Sequence, residues 1–323
     1  GAPLVSATSK AQLLSDAIDR QASTAVDTVP EIQALADAVS AVMTGAAGGT
    51  APTRAQLEAL GITGVTNNNL ATVLAAIAAT PNDGSQIDSL AELQSVVTSA
   101  VNAATANALS TISSYAGNNS ASAPAQPMGT PPTLADYANA GVTGVDANNL
   151  DSVNDALSTA AVTRALSDTA SELQTIVDAY TAVLALAAPG TGTPVTAMQL
   201  QAVGADIGSA ASTATHLNLL NSILDAQGAN GVDTVAEINT LADIANAVQN
   251  SAAGGTSAHT LVASDFDLIG LHGPAAEGDD PAARVADREH HPVAEPVVGR
   301  PAAILGPDHQ PDIDQLLLGG AGE

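Results

Sequence analysis

Four times along the chain a hydroxyl residue stands three positions ahead of a glutamate and opens an apolar run: Thr28 and Glu31, Ser89 and Glu92, Thr169 and Glu172, Thr234 and Glu237. Each continues [IL]-[QN]-x-[LIV], and an aspartate precedes every one (Asp27, Asp88, Asp168, Asp233). The spacings are 61, 80 and 65 residues, so the repeating unit is domain-like with loops of variable length. A hydroxyl three residues before a glutamate is the signature of a capping box. The hydroxyl accepts from the backbone N–H three residues on, and the carboxylate reaches back to the cap's own N–H. The leading aspartate adds negative charge at the positive end of the helix dipole. Apolar residues then recur at helical spacing: Ile32, Leu35, Val39 and Val42 in the first copy, Leu173, Ile176, Val177 and Tyr180 in the third. These segments read as amphipathic helices of about four turns. An alternative reading assigns the repeated Asp and Glu to four carboxylate sites.

The stretches between the boxes also agree. Each first helix runs into Gly/Thr/Pro-rich chain at 45–53, 129–133 and 190–196, and a short second helix follows, capped by Thr53, Thr133 and Thr196. It stops at Gly61, Gly141 and Gly204, the position past a helix end where a left-handed residue is expected. Next come GITGVTNNNL at 61–70 and GVTGVDANNL at 141–150, which agree at seven of ten positions. The pattern predicts that Ile62, Val65, Val142 and Val145 face the core on either side of Thr63-Gly64 and Thr143-Gly144. It further predicts that Thr66 and Asp146 cap a third helix whose first buried residues are Leu70 and Leu150. That helix carries Leu70, Val73, Leu74 and Ile77 in one copy and Leu150, Val153 and Leu157 in the next. The third copy is degenerate, with Gly204-Ala-Asp-Ile-Gly208 in place of G-x-T-G-V.

The expected fold is therefore all-α: a tandem array of small three-helix modules ending in a Pro-rich irregular tail. The expected divisions are 1–27 (last helix of a preceding repeat), 28–88, 89–168, 169–233 (degenerate), 234–270 (partial) and 271–323 (tail). The start at Gly1-Ala2-Pro3 without a Met, and repeats cut at both ends, suggest a piece of a longer array or a processed chain. After DFDLIG at 265–270 the helical periodicity stops. The last 53 residues hold four of six His, three of seven basic residues and seven of 17 Pro. Two readings stand side by side: a disordered extension, or a stretch that is not the repeat's native continuation, as a shifted reading frame would produce.

Composition narrows function by exclusion. A net charge of −26 with seven Lys plus Arg argues against nucleic acid, whose phosphates need clustered cations, and against docking on an anionic membrane. No apolar run approaches the ~20 residues of a membrane span, so no membrane insertion is expected. The first ten residues lack the basic start and apolar core of a signal peptide. Cysteine is absent, which rules out disulfides and thiolate metal sites. Only Tyr115, Tyr137, Tyr180 and Phe266 are aromatic, so cores must be built from small aliphatic side chains, and many small cores in series suit this better than one large one. The acidic surface suits an extracellular or saline setting, an acidic cytosolic protein being the alternative.

Candidate chemistry is sparse. Asp287, Glu289, His290 and His291 form a His/carboxylate cluster, but on a segment with no fixed geometry. Asn82-Asp83-Gly84-Ser85 through Asp88 has some of the oxygen ligands of a calcium loop; it is too short, and its analogues do not keep the ligands. A turn and helix cap is the favoured account there, with calcium the one cofactor left open. His216 and His259 have no neighbouring nucleophile motif, and Gly254-Gly255-Thr256 lacks the Lys of a phosphate loop. Asn67, Asn68 and Asn69 read as cap and turn chemistry. No enzyme activity, catalytic residue or bound metal is expected. The residues singled out are structural: the four boxes together with Gly61, Gly64, Gly141 and Gly144.

The pattern PT-x-A-x-Y-x-x-x-GVTGV-x-x-x-NL-x-x-V-N at 132–154, followed by D-T-x-x-E-L-Q-x-I-V-D-A at 168–179, resembles the tandem α-helical repeats of very large secreted or surface-attached bacterial adhesins. The resemblance covers roughly residues 10–270, is best at 129–180 and fails after 270. It implies an extracellular or cell-surface location and a stalk or spacer role in attachment and biofilm formation, with type I secretion as the export route. The implied partners are the neighbouring repeats and a host or cell-surface protein. The alternative is a helical interaction module presenting one helix face to such a protein, and a cytosolic scaffold stands third.

Overall fold

The structure, a computed structural model, describes residues 7–117, 129–188 and 192–271. Among these there are twelve α-helices, four 3-10 turns and no strand, so the fold is all-α. All described residues belong to one unit, Gly1–His272. The expected tail lies outside the described residues beyond Leu271, and the cluster Asp287, Glu289, His290 and His291 lies outside them too.

Helix α1 (Ala7–Asp19) is followed by α2 (Val29–Ala46), a short α3 (Arg54–Ala59), α4 (Leu70–Ala78) and a long α5 (Leu90–Gly117). The order short, medium, long then recurs as α6 (Leu134–Asn139), α7 (Leu150–Ser158) and α8 (Ala170–Ala187), and as α9 (Ala197–Ala202), α10 (Ala214–Asp225) and α11 (Val235–Ala252). A further short helix, α12 (Ala263–Leu268), comes last. A single 3-10 turn precedes three of the capped helices, at Ser23–Ala25, Arg164–Leu166 and Ala229–Gly231.

The first helices of the copies are longer than the four turns expected, at 18 residues in α2, α8 and α11 and 28 in α5. Between 90 and 116 there is no Gly or Pro to stop α5. Helix α2 instead reaches Gly45 and Gly48-Gly49 near its fifth turn, with Gly48 at φ +79°. The extra length of α5 accounts for much of the excess of the 80-residue spacing over the other two.

Buried apolar side chains form two clusters rather than one per copy. The first runs from Leu13 to Ala100 and contains the buried faces of α1 to α4 with Leu90, Leu93 and Val97 of α5. The second begins at Ala108, Ile112 and Tyr115 of the same α5 and continues through α6 to α11 as far as Ile269. One helix thus enters both cores. Polar contacts reinforce this pairing of copies. Asp16 of α1 accepts from the backbone N–H of Leu90 at 3.2 Å, and Asp155 of α7 accepts from that of Val235 at 2.6 Å. Each carboxylate caps the first residue of the long helix that closes its own core. In the intervening copy the aligned residue is Ala75, which has no such group. No described helix is long and apolar enough to cross a membrane.

Candidate functional site

The repeated sequence features converge on one joint, where a short helix ends in a glycine turn and a capped helix grips that turn. The caps come first. Thr169 donates its N–H (3.1 Å) and its hydroxyl (2.8 Å) to Glu172, whose own N–H donates back to the Thr169 hydroxyl at 3.3 Å. Thr234 and Glu237 do the same at 3.0, 2.9 and 3.3 Å. Thr28 gives its N–H (3.0 Å) and hydroxyl (2.8 Å) to Glu31. Ser89 donates its hydroxyl to Glu92 at 3.1 Å and accepts from the Glu92 N–H at 3.3 Å. The short helices have boxes of their own, Thr53 with Gln56, Thr133 with Asp136 and Thr196 with Gln199.

The glycine ends are left-handed: φ is +78° at Gly61, +81° at Gly141 and +86° at Gly204. Ile62 N–H reaches Leu57 O at 3.1 Å while Gly61 N–H reaches Glu58 O at 2.8 Å, the paired bonds of a Schellman end. The same pair recurs after α6 and α9. Gly64 and Gly144, at φ +86° and +83°, turn the chain a second time. Ile62, Val65 and Val142 are buried, and Val145 is partly buried against the second core.

Entry into the third helix differs from expectation. Thr66 and Asp146 stand one turn ahead of it, and the helices start after Asn69 and Asn149. These asparagines are buried and pin the turn. Asn69 accepts from Thr66 N–H at 2.7 Å and donates to Gly64 O at 2.9 Å; Asn149 accepts from Asp146 N–H at 2.8 Å and donates to Gly144 O at 2.7 Å. Leu70 and Leu150 are only half-buried; Val73 and Ile77, like Val153 and Leu157, fill the core beneath. The reason is geometric: after Val65 or Val145 the chain swings outward once more, and it is brought back by the asparagine, whose amide satisfies the carbonyl of the second glycine, Gly64 or Gly144.

The grip itself comes from the [QN] position of the next capped helix. The Gln94 carboxamide accepts from Thr63 N–H at 2.9 Å and donates to Thr63 O at 3.2 Å, pairing with both groups of one residue. Gln174 does this to Thr143 at 2.9 and 3.0 Å. In the degenerate copy Asn239 accepts from Asp206 N–H at 2.8 Å, so the joint survives the loss of its motif. There Asn246 of α11 donates to Ile207 O at 3.0 Å, replacing the pinning asparagine from the opposite side, and His216 Nδ1 lies 2.8 Å from its Oδ1. The sequence signal for this clamp was a Gln or Asn recurring five residues after every cap; the contact itself spans 31 to 33 residues. Gln174→Ala is expected to lower unfolding free energy by about 1 kcal/mol, since both bonds are solvent-exposed. Urea denaturation of the two proteins checks it.

A second polar device lies under the short helices. Asn221 accepts from Val195 N–H (2.7 Å) and donates to Val195 O (3.0 Å). One copy earlier the matching residues are Asn154 and Pro132. Asn154 donates to Pro132 O at 2.9 Å, but proline has no N–H to return. The Tyr137 hydroxyl supplies the missing donor, at 2.8 Å from Asn154 Oδ1. In the first copy Pro52 and Leu57 occupy these places and the asparagine position is Leu74, so no acceptor needs a donor.

The carboxyls around the joint are shifted in both directions. Hydrogen bonds from Thr28 and Thr169 hold the Glu31 and Glu172 carboxyls below the usual carboxylate range. Desolvation, helped by the neighbouring glutamates Glu92 and Glu237, raises Asp88 and Asp233. Burial raises Asp155 more strongly than the Val235 N–H lowers it. A carboxyl raised in the folded state adds stability as pH falls through its range; a lowered one contributes above the unfolded value and loses that contribution as pH falls. Thermal midpoints measured against pH are expected to rise from neutrality into mild acid and to fall below about pH 4. Asp155→Asn, which keeps an acceptor for Val235, flattens the rising limb.

A cleft of about 170 Å³ is lined by Val162, Leu166, Glu172, Ile176, Gln201 and Ala202, and its one carboxylate is engaged by Thr169. His259 lies 2.9 Å from Asp265, whose carboxylate accepts from the Val262 N–H at the start of α12 at 2.8 Å. In the turn at 82–88, which has some of the oxygen ligands of a calcium loop, Asp83 accepts from Ser85 N–H at 3.0 Å. Among the described residues no three His, Cys, Asp or Glu side chains gather to hold a metal. No known family, curated protein or solved structure matches the chain.

Proposed function

We propose that the chain is a structural stalk or spacer segment of an extracellular bacterial adhesin, built as tandem three-helix modules and contributing to cell-surface attachment or biofilm formation. The observation that carries this reading is the clamp. The same side-chain amide grips the same glycine-turn backbone at three successive joints, including one where the surrounding motif has decayed. Selection on a joint rather than on a pocket is what a spacer requires, because its output is the geometry between one repeat and the next. Continuous α5 supports the reading by replacing a flexible loop with helix between two cores. The acidic surface, at net −26, keeps adjacent stalks apart. Neighbouring repeats are the partners on this view, with no cofactor and no catalysis.

Inserting a further copy of residues 89–168 tests it by small-angle scattering. A constant increment in maximum dimension per inserted copy is the expected result, and an unchanged dimension would sink the proposal. Saturable binding of the purified chain to a host surface protein would favour an interaction module instead. Antibody labelling of intact cells addresses the location: staining without permeabilisation is expected.

A further inference from the structure

The two ends of the described fold leave matching parts of the joint uncovered. At the cap-plus-four position Leu93, Leu173 and Ile238 are fully buried, yet Ile32 on α2 is 37% exposed. Beside it Val29 is 79% exposed, where Leu90 and Val235 are buried. Gln33 holds the clamp position but bonds along its own helix to Asp37 at 2.8 Å. Helices α1 and α2 are thus the medium and long helices of a joint that has, among the described residues, no short helix and glycine turn on it.

The opposite end has what they lack. Helix α12 ends at Gly270, φ +80°, with the same Schellman bonds, Leu271 N–H to Phe266 O and Gly270 N–H to Asp267 O. Its anchor Phe266 is 37% exposed, although the aligned Leu57, Tyr137 and Leu200 are buried. Leu271 is 57% exposed, against buried Ile62, Val142 and Ala205. In the other three copies these anchors are covered by the medium and long helices that follow them, the elements α1 and α2 present.

We propose that these faces are complementary and that the chain self-associates head to tail, α12 and its glycine turn of one copy seating on α1 and α2 of a second. The contact repeats the joint made within the chain and rests on the tandem reading above. It is heterologous and does not close on itself, so each copy added leaves a free face at either end. Because the association is apolar and the copies repel at −26 each, salt strengthens it.

Sedimentation velocity of the full chain, from micromolar to near-millimolar at low and high salt, is the test. The weight-average mass is expected to climb past twice 31.6 kDa without a plateau, more so at high salt. Ile32→Arg and Phe266→Arg are each expected to be monomeric alone, with unchanged circular dichroism. Mixed together they form a 1:1 dimer and nothing larger, since each retains the face the other has lost. Val29→Arg replaces Ile32→Arg if the latter misfolds. A wild-type chain that stays monomeric, single variants that still associate, or a mixture that stays monomeric would each overturn the proposal. If Gln174→Ala is still destabilising in that event, the repeat joint stands and only the self-association fails.

Discussion

Tyr137→Ala is expected to destabilise the second core by about 3–5 kcal/mol, the range for emptying a fully buried aromatic site. The ring lies in a cluster of mostly aliphatic side chains that also holds Tyr115 and Tyr180, and its hydroxyl is the donor that lets Asn154 remain buried beside a proline. Tyr137→Phe separates the two contributions. It keeps the ring and leaves Asn154 Oδ1 without that donor, at an expected cost of about 1–3 kcal/mol. The double variant Tyr137→Leu, Asn154→Leu copies the solution present at Leu57 and Leu74. It should recover part of the loss shown by Tyr137→Leu alone, giving a favourable coupling in a double-mutant cycle. Chemical denaturation supplies all four numbers. Additive single effects would show that the hydroxyl and the amide do not depend on each other.

Gly204→Ala is the second large effect. Gly61, Gly141 and Gly204 share a left-handed φ, but their surroundings differ. A Cβ on Gly61 or Gly141 meets nothing within 4 Å, whereas on Gly204 it falls 2.1 Å from Thr159 Oγ1 and 3.0 Å from its Cβ. Backbone strain alone sets the cost at Gly141, and Gly141→Val is expected to lose about 1–2 kcal/mol. Gly204→Ala adds displacement of the Thr159 side chain, which bonds to Ala156 O at 2.8 Å, and is expected to lose about 3 kcal/mol in total. Thr159→Ser in the Gly204→Ala background should leave most of that loss, because the hydroxyl oxygen remains in the way; Thr159→Gly should relieve the clash. Equal losses at 141 and 204 would mean that the backbone shifts to make room.

What could be read from sequence was local. A capping box and a left-handed glycine are each decided within about six residues, so Thr169, Glu172, Gly61 and Gly141 announced themselves without knowledge of the fold. The fold class followed from the same signals, since helical spacing between caps leaves no run for a strand. The clamp did not announce itself, because Gln94 and Gln174 look like surface residues of an amphipathic helix until the turn some thirty residues earlier is laid against them. Their recurrence was visible; their partner was not. The pinning asparagines were half-legible: Asn67 to Asn69 suggested turn chemistry, but only the outward excursion at Gly64 determines which of the three comes back inside. The course of α5 through two cores was hidden because apolar periodicity marks a buried face without saying which neighbour covers it.

That shared helix has a mechanical consequence. A pull transmitted from the first core to the second need not pass through a turn; it can run along the axis of α5, in series with its i to i+4 hydrogen bonds. Turns and glycine joints offer slack to an applied force, but a helix clasped at both ends offers little. The junction should therefore be among the last parts of the chain to extend, and yielding should begin where the chain still turns on glycine.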